Sequence, residues 1–198
     1  MNIPNKLTVL RLIMAPLFFV AFHLPIWFGN GLALWSVILL VGIYILSELS
    51  DLFDGLIARK YDMVTDLGKV MDPFADTLSR LTYFVCFVGV GLMPAWAFVI
   101  IMWREFSIVF LRMLMMGKGT AVAANIWGKS KAVLYAATGL AGILYVASDR
   151  LFADTLWKMW ADPILLVLFV LAVIASVASF LTYISAILKD GGLSHLTR

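Results

Sequence analysis

The stretch that decides the fold is LIMAPLFFVAFHLPIWFGNGLALWSVILLVGIYILS, residues Leu12 to Ser47, which contains no Asp, Glu, Lys or Arg. Leu81–Trp103 and Pro163–Leu188 are uncharged in the same way. About 20 helical residues span a hydrocarbon core about 30 Å thick, so each stretch can hold at least one span. The chain of 198 residues is 63% hydrophobic and only 14% charged, which is too apolar for the surface of a water-soluble domain. The sequence therefore predicts an integral, polytopic membrane protein.

Turn residues divide these apolar stretches. HLPIWFGNG (23–31) contains the Pro, Gly and Asn typical of a break, and GVGLMP (89–94) separates two further helices. We predict an all-α protein formed by a single domain over residues 1–198. Its six transmembrane helices are expected at about 8–28, 32–59, 69–91, 95–116, 128–148 and 162–188.

The basic residues near the predicted helix ends are distributed unevenly between the two sides of the membrane. Two lie on the side opposite the termini, Arg150 and Lys158. Ten lie on the side of the termini: Lys6, Arg11, Arg59, Lys60, Lys69, Lys118, Lys129, Lys131, Lys189 and Arg198. The positive-inside rule therefore predicts cytoplasmic termini. The net charge of +3 follows mainly from this topology, so we expect no nucleic-acid partner.

Half of the twelve acidic residues lie in one segment, DLFDGLIARKYDMVTDLGKVMDPFAD (51–76). Asp51 and Asp54 are three residues apart at the end of helix 2, and Asp72 and Asp76 are four apart near the start of helix 3. Each pair therefore shares one helical face. The turn between the two helices is expected to bring these faces together at the cytoplasmic membrane boundary. The other two aspartates of the segment are interpreted as loop charges.

Carboxylates inside a membrane are costly and usually mark a functional site. Four converging carboxylates need cations, and hard oxygen ligands suit Mg²⁺, Mn²⁺ or Ca²⁺. Gly55 and Gly68 leave room for a close approach to a ligand, and Arg59 offers a fork of donors to a phosphate. Together these features indicate metal-dependent phosphoryl transfer. The non-enzymatic alternative is a cation transporter, because intramembrane aspartates also line ion pathways.

The same residues form the pattern D-x2-D-G-x2-A-R-x8-G-x3-D-x3-D from Asp51 to Asp76, which resembles the complete signature of the CDP-alcohol phosphotransferase family. The resemblance implies a six-helix, usually dimeric membrane enzyme that transfers a phosphatidyl or similar group from a CDP-linked donor to an alcohol. It implies one or two divalent cations, Mg²⁺ or Mn²⁺, held by Asp51, Asp54, Asp72 and Asp76. Asp76 is also implied as the base for the acceptor hydroxyl. The residues implied to lie against the CDP moiety are Gly55, Ala58, Arg59 and Gly68.

Three further segments resemble the phosphatidylglycerophosphate synthases of that family: NIPNKLTVLRLIMAP (2–16), WREFSIVFLR (103–112) and GKSK (128–131). The first is expected to aim Arg11 towards the site. Basic side chains form the predicted pocket for an acceptor with its own phosphate: Arg80, Arg104, Arg112, Lys129 and Lys131. The favoured reaction transfers a phosphatidyl group from CDP-diacylglycerol to sn-glycerol 3-phosphate in a bacterial cytoplasmic membrane. Alternative acceptors are inositol phosphate, phosphatidylglycerol, serine and an amino alcohol.

Several local questions stay open in the sequence. Thr77 stands where the family usually has a lysine, and Arg80 one turn further is expected to supply that charge. Glu48 is an additional acid that either pairs with Arg80 or binds a cationic acceptor such as an amino alcohol. Arg104 either faces the acceptor or pairs with an acid such as Glu105. Lys129 and Lys131 point in nearly opposite directions on a helix, so one of them is expected to face the pocket. Pro73 either begins helix 3 or lies inside it.

Overall fold

The computed structural model describes residues 2–61, 65–116, 126–152 and 155–189. Over these residues the chain forms six α-helices and no strand, as predicted, with a short 3₁₀ turn at Asn30–Leu32. The helices are α1 (Ile3–Phe28), α2 (Ala33–Lys60), α3 (Asp66–Gly89), α4 (Ala95–Met116), α5 (Ile126–Phe152) and α6 (Thr155–Lys189). Successive helices alternate in direction, which brings the end of α2, the start of α3 and the start of α1 to one end of the bundle.

Four helices, α1, α3, α5 and α6, begin earlier than predicted, and in α1 and α3 a side chain caps the new start. The Asn2 side chain accepts a hydrogen bond from the backbone N of Asn5 at 3.2 Å, so α1 begins at Ile3. The Thr65 hydroxyl likewise accepts from the backbone N of Gly68 at 3.0 Å, and α3 begins at the next residue, Asp66. Pro73 therefore lies inside α3 and does not begin it.

Within the described part of the chain, four helical segments are long and apolar enough to cross a membrane: Ile3–Phe28, Asn30–Ile57, Ser130–Phe152 and Leu156–Leu188. They belong to α1, α2, α5 and α6. The described parts of α3 and α4 do not qualify because each contains at least three charged side chains, at 72, 76 and 80 in α3 and at 104, 105 and 112 in α4. The structure thus supports an integral membrane protein in which α3 and α4 each carry several charged side chains.

Aromatic side chains from several helices form the centre of the bundle. Phe18 and Phe22 of α1, Phe84 and Phe87 of α3 and Phe169 of α6 are buried and lie in contact with one another. α5 joins this core at a glycine: a Cβ built on Gly142 would lie 2.5 Å from a ring carbon of Phe87. This close packing fixes the position of α3, which carries half of the predicted metal ligands.

The opposite end of the bundle holds a half-buried arginine whose contacts we did not predict. Pro25 lacks an N–H, so the carbonyl of Ala21 has no helical donor, and the Ser36 hydroxyl donates to it at 2.5 Å. Arg150 donates to the Ser36 hydroxyl at 2.5 Å and to the carbonyl of Phe22 at 2.7 Å. Arg150 therefore ties α1, α2 and α5 together and has a structural role.

Candidate active site

Acidic side chains of α2 and α3 gather at one end of the bundle, as predicted. Asp54 is buried, with 4% of its side chain exposed. Asp51, Asp72 and Asp76 keep between a third and a half of their side-chain surface exposed. The site is thus a half-open cluster of carboxylates from two helices.

Arg11 of α1 lies at the centre of this cluster. Its side chain is 1% exposed, and its two terminal nitrogens donate to Asp51 and Asp54. One of them is also 3.8 Å from Oδ1 of Asp72. The prediction that α1 aims Arg11 towards the site is confirmed, and three carboxylates from two helices lie within reach of one guanidinium.

Two other polar residues hold α1 in this position. Thr8 donates a hydrogen bond to Asp72, and Asn5 donates from Nδ2 to the Thr65 hydroxyl at 3.2 Å. Asn5, Thr8 and Arg11 are spaced three residues apart, so they lie along one side of α1. This buried polar edge links α1 to both acidic helices.

Asp76 forms an ion pair at 2.9 Å with Arg80, which lies one turn later in α3. The prediction of a Glu48–Arg80 ion pair is therefore wrong as a direct contact, because the guanidinium reaches the carboxylate on its own helix face. Glu48 nevertheless lies near enough to interact electrostatically with Arg80. The positive charge that Thr77 does not supply is present beside Asp76, one turn further along the helix.

A cavity of about 310 Å³ opens next to Asp76, between α3, α4, α5 and α6. Four of the five side chains predicted for the acceptor phosphate line it: Arg80, Arg104, Arg112 and Lys131. The side chain of the fifth, Lys129, lies outside the described part of the structure. The cavity wall also includes Thr77 and Tyr183, neither of which we assigned to the site.

Glu105 organises the cations on one wall of this cavity. Its Oε1 accepts from Nη1 of Arg104 and Nζ of Lys131, both at 2.8 Å, and from the Tyr135 hydroxyl at 3.2 Å. The second terminal nitrogen of Arg104 donates to the Ser179 hydroxyl at 2.8 Å. The alternative in which Arg104 pairs with Glu105 is thus confirmed, although Arg104 still lines the cavity. Among the described lining residues, four cations face two carboxylates, Asp76 and Glu105, which gives a net charge of +2.

Comparison with known proteins identifies the family of this chain. The family described as CDP-alcohol phosphatidyltransferase matches residues 1–189, nearly the whole chain. The chain belongs to that family. This membership counts against the cation-transporter alternative.

Similar proteins of the CDP-alcohol phosphatidyltransferase family come from several bacteria. A CDP-diacylglycerol–glycerol-3-phosphate 3-phosphatidyltransferase of Bacillus subtilis (strain 168) is 37% identical over 135 residues, which cover 66% of this chain and 70% of the relative. A protein of the same name from Treponema pallidum (strain Nichols) is 34% identical over 156 residues, 74% of this chain and 70% of the relative. A probable phosphatidylglycerophosphate synthase of Mycobacterium tuberculosis (strain ATCC 25618 / H37Rv) is 33% identical over 153 residues, covering 74% and 71%.

The remaining signature positions of the family are only partly described. Gly55 follows Asp54 in α2, whereas the side chains of Ala58 and Arg59 lie outside the described structure, as do residues 62–64. Gly68 is buried, and a Cβ at this position would lie 3.0 Å from Oδ1 of Asn5 and 3.1 Å from Oγ1 of Thr65. A side chain at position 68 would thus crowd Asn5 and Thr65, which favours glycine where α1 meets the start of α3.

The carboxylate cluster suits a hard divalent cation in its chemistry, because all its donors are carboxylate oxygens. The position of Arg11 shows that a positive charge is accepted at its centre. No group of three or more His, Cys, Asp and Glu side chains among the described residues could hold a metal ion in the present geometry. The donor set therefore fits such an ion in kind, and in the present geometry Arg11 contacts two of the carboxylates that would bind it.

Proposed function

We propose that this chain transfers the phosphatidyl group of CDP-diacylglycerol to sn-glycerol 3-phosphate and releases CMP. The observation that carries the proposal is that Asp76, the expected base, lies on the wall of the cavity lined by four basic side chains. An acceptor with its own phosphate can thus present its hydroxyl to a carboxylate while cations bind its other end. The names of the similar bacterial proteins support the same donor and acceptor.

The reaction needs one base, charge neutralisation and correct positioning. Asp76 accepts the proton of the acceptor hydroxyl, whose oxygen forms a bond to the phosphorus carrying the diacylglycerol. The bond from that phosphorus to the CMP phosphate breaks in line with the attack, and CMP leaves. Divalent cations, Mg²⁺ or Mn²⁺, held by Asp51, Asp54, Asp72 and Asp76 would neutralise the diphosphate.

The substrates are held on two sides of Asp76. Arg80, Arg104, Arg112 and Lys131 bind the acceptor phosphate, with Lys129 as a further candidate. Glu105 supports this side because it fixes Arg104 and Lys131 at 2.8 Å each. The CDP moiety lies against Gly55, Ala58, Arg59 and Gly68 on the side of α2. The carboxylates are thus placed between the donor and the acceptor.

We further propose that all six helices cross the cytoplasmic membrane of a bacterium, with cytoplasmic termini and the active site at the cytoplasmic boundary. α3 has 24 residues and α4 has 22, which corresponds to about 36 Å and about 33 Å at about 1.5 Å per residue. Both exceed a hydrocarbon core of about 30 Å. Exposed tryptophans lie near the helix ends opposite the carboxylates, as expected for an outer aromatic belt: Trp27, Trp35, Trp96, Trp157 and Trp160. We expect a homodimer, as the family resemblance implies.

An acceptor panel tests the proposed function. Purified protein in lipid nanodiscs receives CDP-diacylglycerol and Mg²⁺ or Mn²⁺, with glycerol 3-phosphate, inositol phosphate, serine or phosphatidylglycerol. The expected result is that, of these acceptors, only glycerol 3-phosphate supports CMP release. Release with a different acceptor alone would reassign the substrate and keep the reaction class, whereas no release with any acceptor would contradict the enzymatic function.

A further inference from the structure

Arg11 is the cation that Asp51 and Asp54 contact in this structure. Its side chain is 1% exposed, and two of its nitrogens are used on two different carboxylates. Its Nε is also buried and has no hydrogen-bond partner among the described residues. A buried arginine in this position balances the charge of the acidic cluster, yet one of its donors is left without an acceptor.

The guanidinium and a divalent cation would compete for the same place. A hard cation binds carboxylate oxygens directly, at about 2.0–2.6 Å, and therefore needs the oxygens that point into the centre of the cluster. Arg11 already binds Oδ1 of Asp51 and Oδ2 of Asp54. In this geometry no three acidic side chains among those described could hold a metal ion.

We propose that Arg11 is an exchangeable internal counter-cation of the carboxylate centre, and that binding of a divalent cation displaces its guanidinium from Asp51 and Asp54. This inference rests on the proposed metal-dependent function. In addition, the divalent cation replaces the guanidinium as the partner of the carboxylates, so the buried carboxylate of Asp54 has a cation beside it before and after metal binding. Metal affinity is then set partly by a residue of α1 that binds no metal itself.

The surrounding contacts allow the guanidinium to move without α1. Asn5 and Thr8 fix the helix to Thr65 and Asp72 through their own hydrogen bonds. The Arg11 side chain has several rotatable bonds between this anchored backbone and its charged end, so it can withdraw while the helix stays in place. Because the Nε donor of Arg11 has no partner among the described residues, its hydrogen bonding is incomplete in this position, which lowers the free-energy cost of moving the guanidinium away.

Manganese binding tests the exchange without measuring turnover. The full chain in nanodiscs is titrated with Mn²⁺, and free Mn²⁺ is followed by electron paramagnetic resonance. Arg11→Gln removes the competing charge, and Arg11→Lys keeps a charge but cannot bridge two carboxylates as a fork. Arg150→Gln is the control, because it removes a half-buried, hydrogen-bonded arginine at the opposite end of the bundle.

The expected result is a Kd for Mn²⁺ about tenfold lower in Arg11→Gln than in the wild type, since the apparent affinity is reduced by the fraction of protein in which the site is free. Arg11→Lys should lie between the two, and Arg150→Gln should match the wild type. An unchanged or higher Kd in Arg11→Gln would overturn the exchange. If that variant fails to fold, equal affinities of Arg11→Lys and the wild type would do so. Absence of Mn²⁺ binding to all the proteins would instead overturn the metal-dependent function, and this inference with it.

Discussion

Asp76 and Arg80 form an ion pair at 2.9 Å on the wall of the cavity that we assign to the acceptor. The two residues are four positions apart in α3, so the helix itself holds the arginine against the carboxylate. Arg80 thereby orients Asp76 and adds a positive charge next to it. This places the proposed base and an acceptor-binding cation in one rigid element.

Asp76→Asn should keep the fold and lose at least about a hundredfold in the rate of transfer, because general acid–base catalysis typically contributes about 10²–10⁴. Initial rates of CMP release by the purified variant measure the loss, with circular dichroism to check the helices. The control is Asp149→Asn, which removes a carboxylate at the other end of the bundle, where it pairs with Lys158. A near-normal rate in Asp76→Asn would rule out its role as the base.

Arg112→Gln should raise the KM for glycerol 3-phosphate by about tenfold or more, because a hydrogen bond to a charged group is worth about 1.5–3 kcal/mol. Arg112 lines the cavity and forms no ion pair among the described residues, so its charge is available to a ligand. The KM for CDP-diacylglycerol should stay unchanged, and steady-state kinetics with each substrate varied in turn separates the two. Lys158→Gln is the control for a lost surface charge. Equal increases in both KM values would contradict an acceptor-specific role.

Glu105→Gln should destabilise the protein by about 3–5 kcal/mol, because breaking a buried ion pair leaves charges uncompensated. The carboxylate of Glu105 is the shared partner of Arg104 and Lys131. Chemical unfolding in detergent, followed by Trp fluorescence, measures the change. Adding Lys131→Met to the variant should recover part of the stability, since one of the two unpaired cations is then gone. An unchanged unfolding midpoint in the single variant would show that the network contributes little.

Gly142→Ala should destabilise the bundle by about 1–3 kcal/mol, the usual cost of overpacking a core. The added Cβ would lie 2.5 Å from the ring of Phe87, which is fully buried. Gly42→Ala is the matched control, because nothing lies within 4 Å of its Cβ position and alanine favours a helix. The melting temperature of Gly142→Ala should therefore fall below that of the wild type, while that of Gly42→Ala should stay the same or rise. Equal melting temperatures would mean that the contact of α5 with α3 is not tight.

The sequence predicts the number of helices and the position of the four aspartates well, because apolar length and residue spacing are local properties. It predicts contacts between helices less well. Arg80 lies four residues after Asp76, so spacing alone offers that partner, whereas its lack of a direct ion pair with Glu48 of α2 depends on the rotation of the packed helices. The rotation depends on close contacts such as that of Gly142 with Phe87, which no spacing rule reveals.

The start of α1 and the contacts of Arg150 and Arg11 differ in how far the sequence could have predicted them. The start of α1 depends on the Asn2 cap, a short-range signal that could have been recognised. By contrast, the contact of Arg150 with the Phe22 carbonyl joins residues 128 positions apart. The contacts of Arg11 with Asp51 and Asp54, which compete with metal binding in our proposal, likewise depend on how α1 packs against α2.

The most direct test of the account is the formation of product from CDP-diacylglycerol and glycerol 3-phosphate by the purified protein. CMP and the lipid product are quantified together by mass spectrometry, with Mg²⁺ present and after its removal by EDTA. The account predicts CMP and phosphatidylglycerophosphate in equal amounts, dependent on glycerol 3-phosphate and on the metal, and lost in Asp76→Asn. CMP release that is independent of glycerol 3-phosphate, or no CMP release at all, would contradict it.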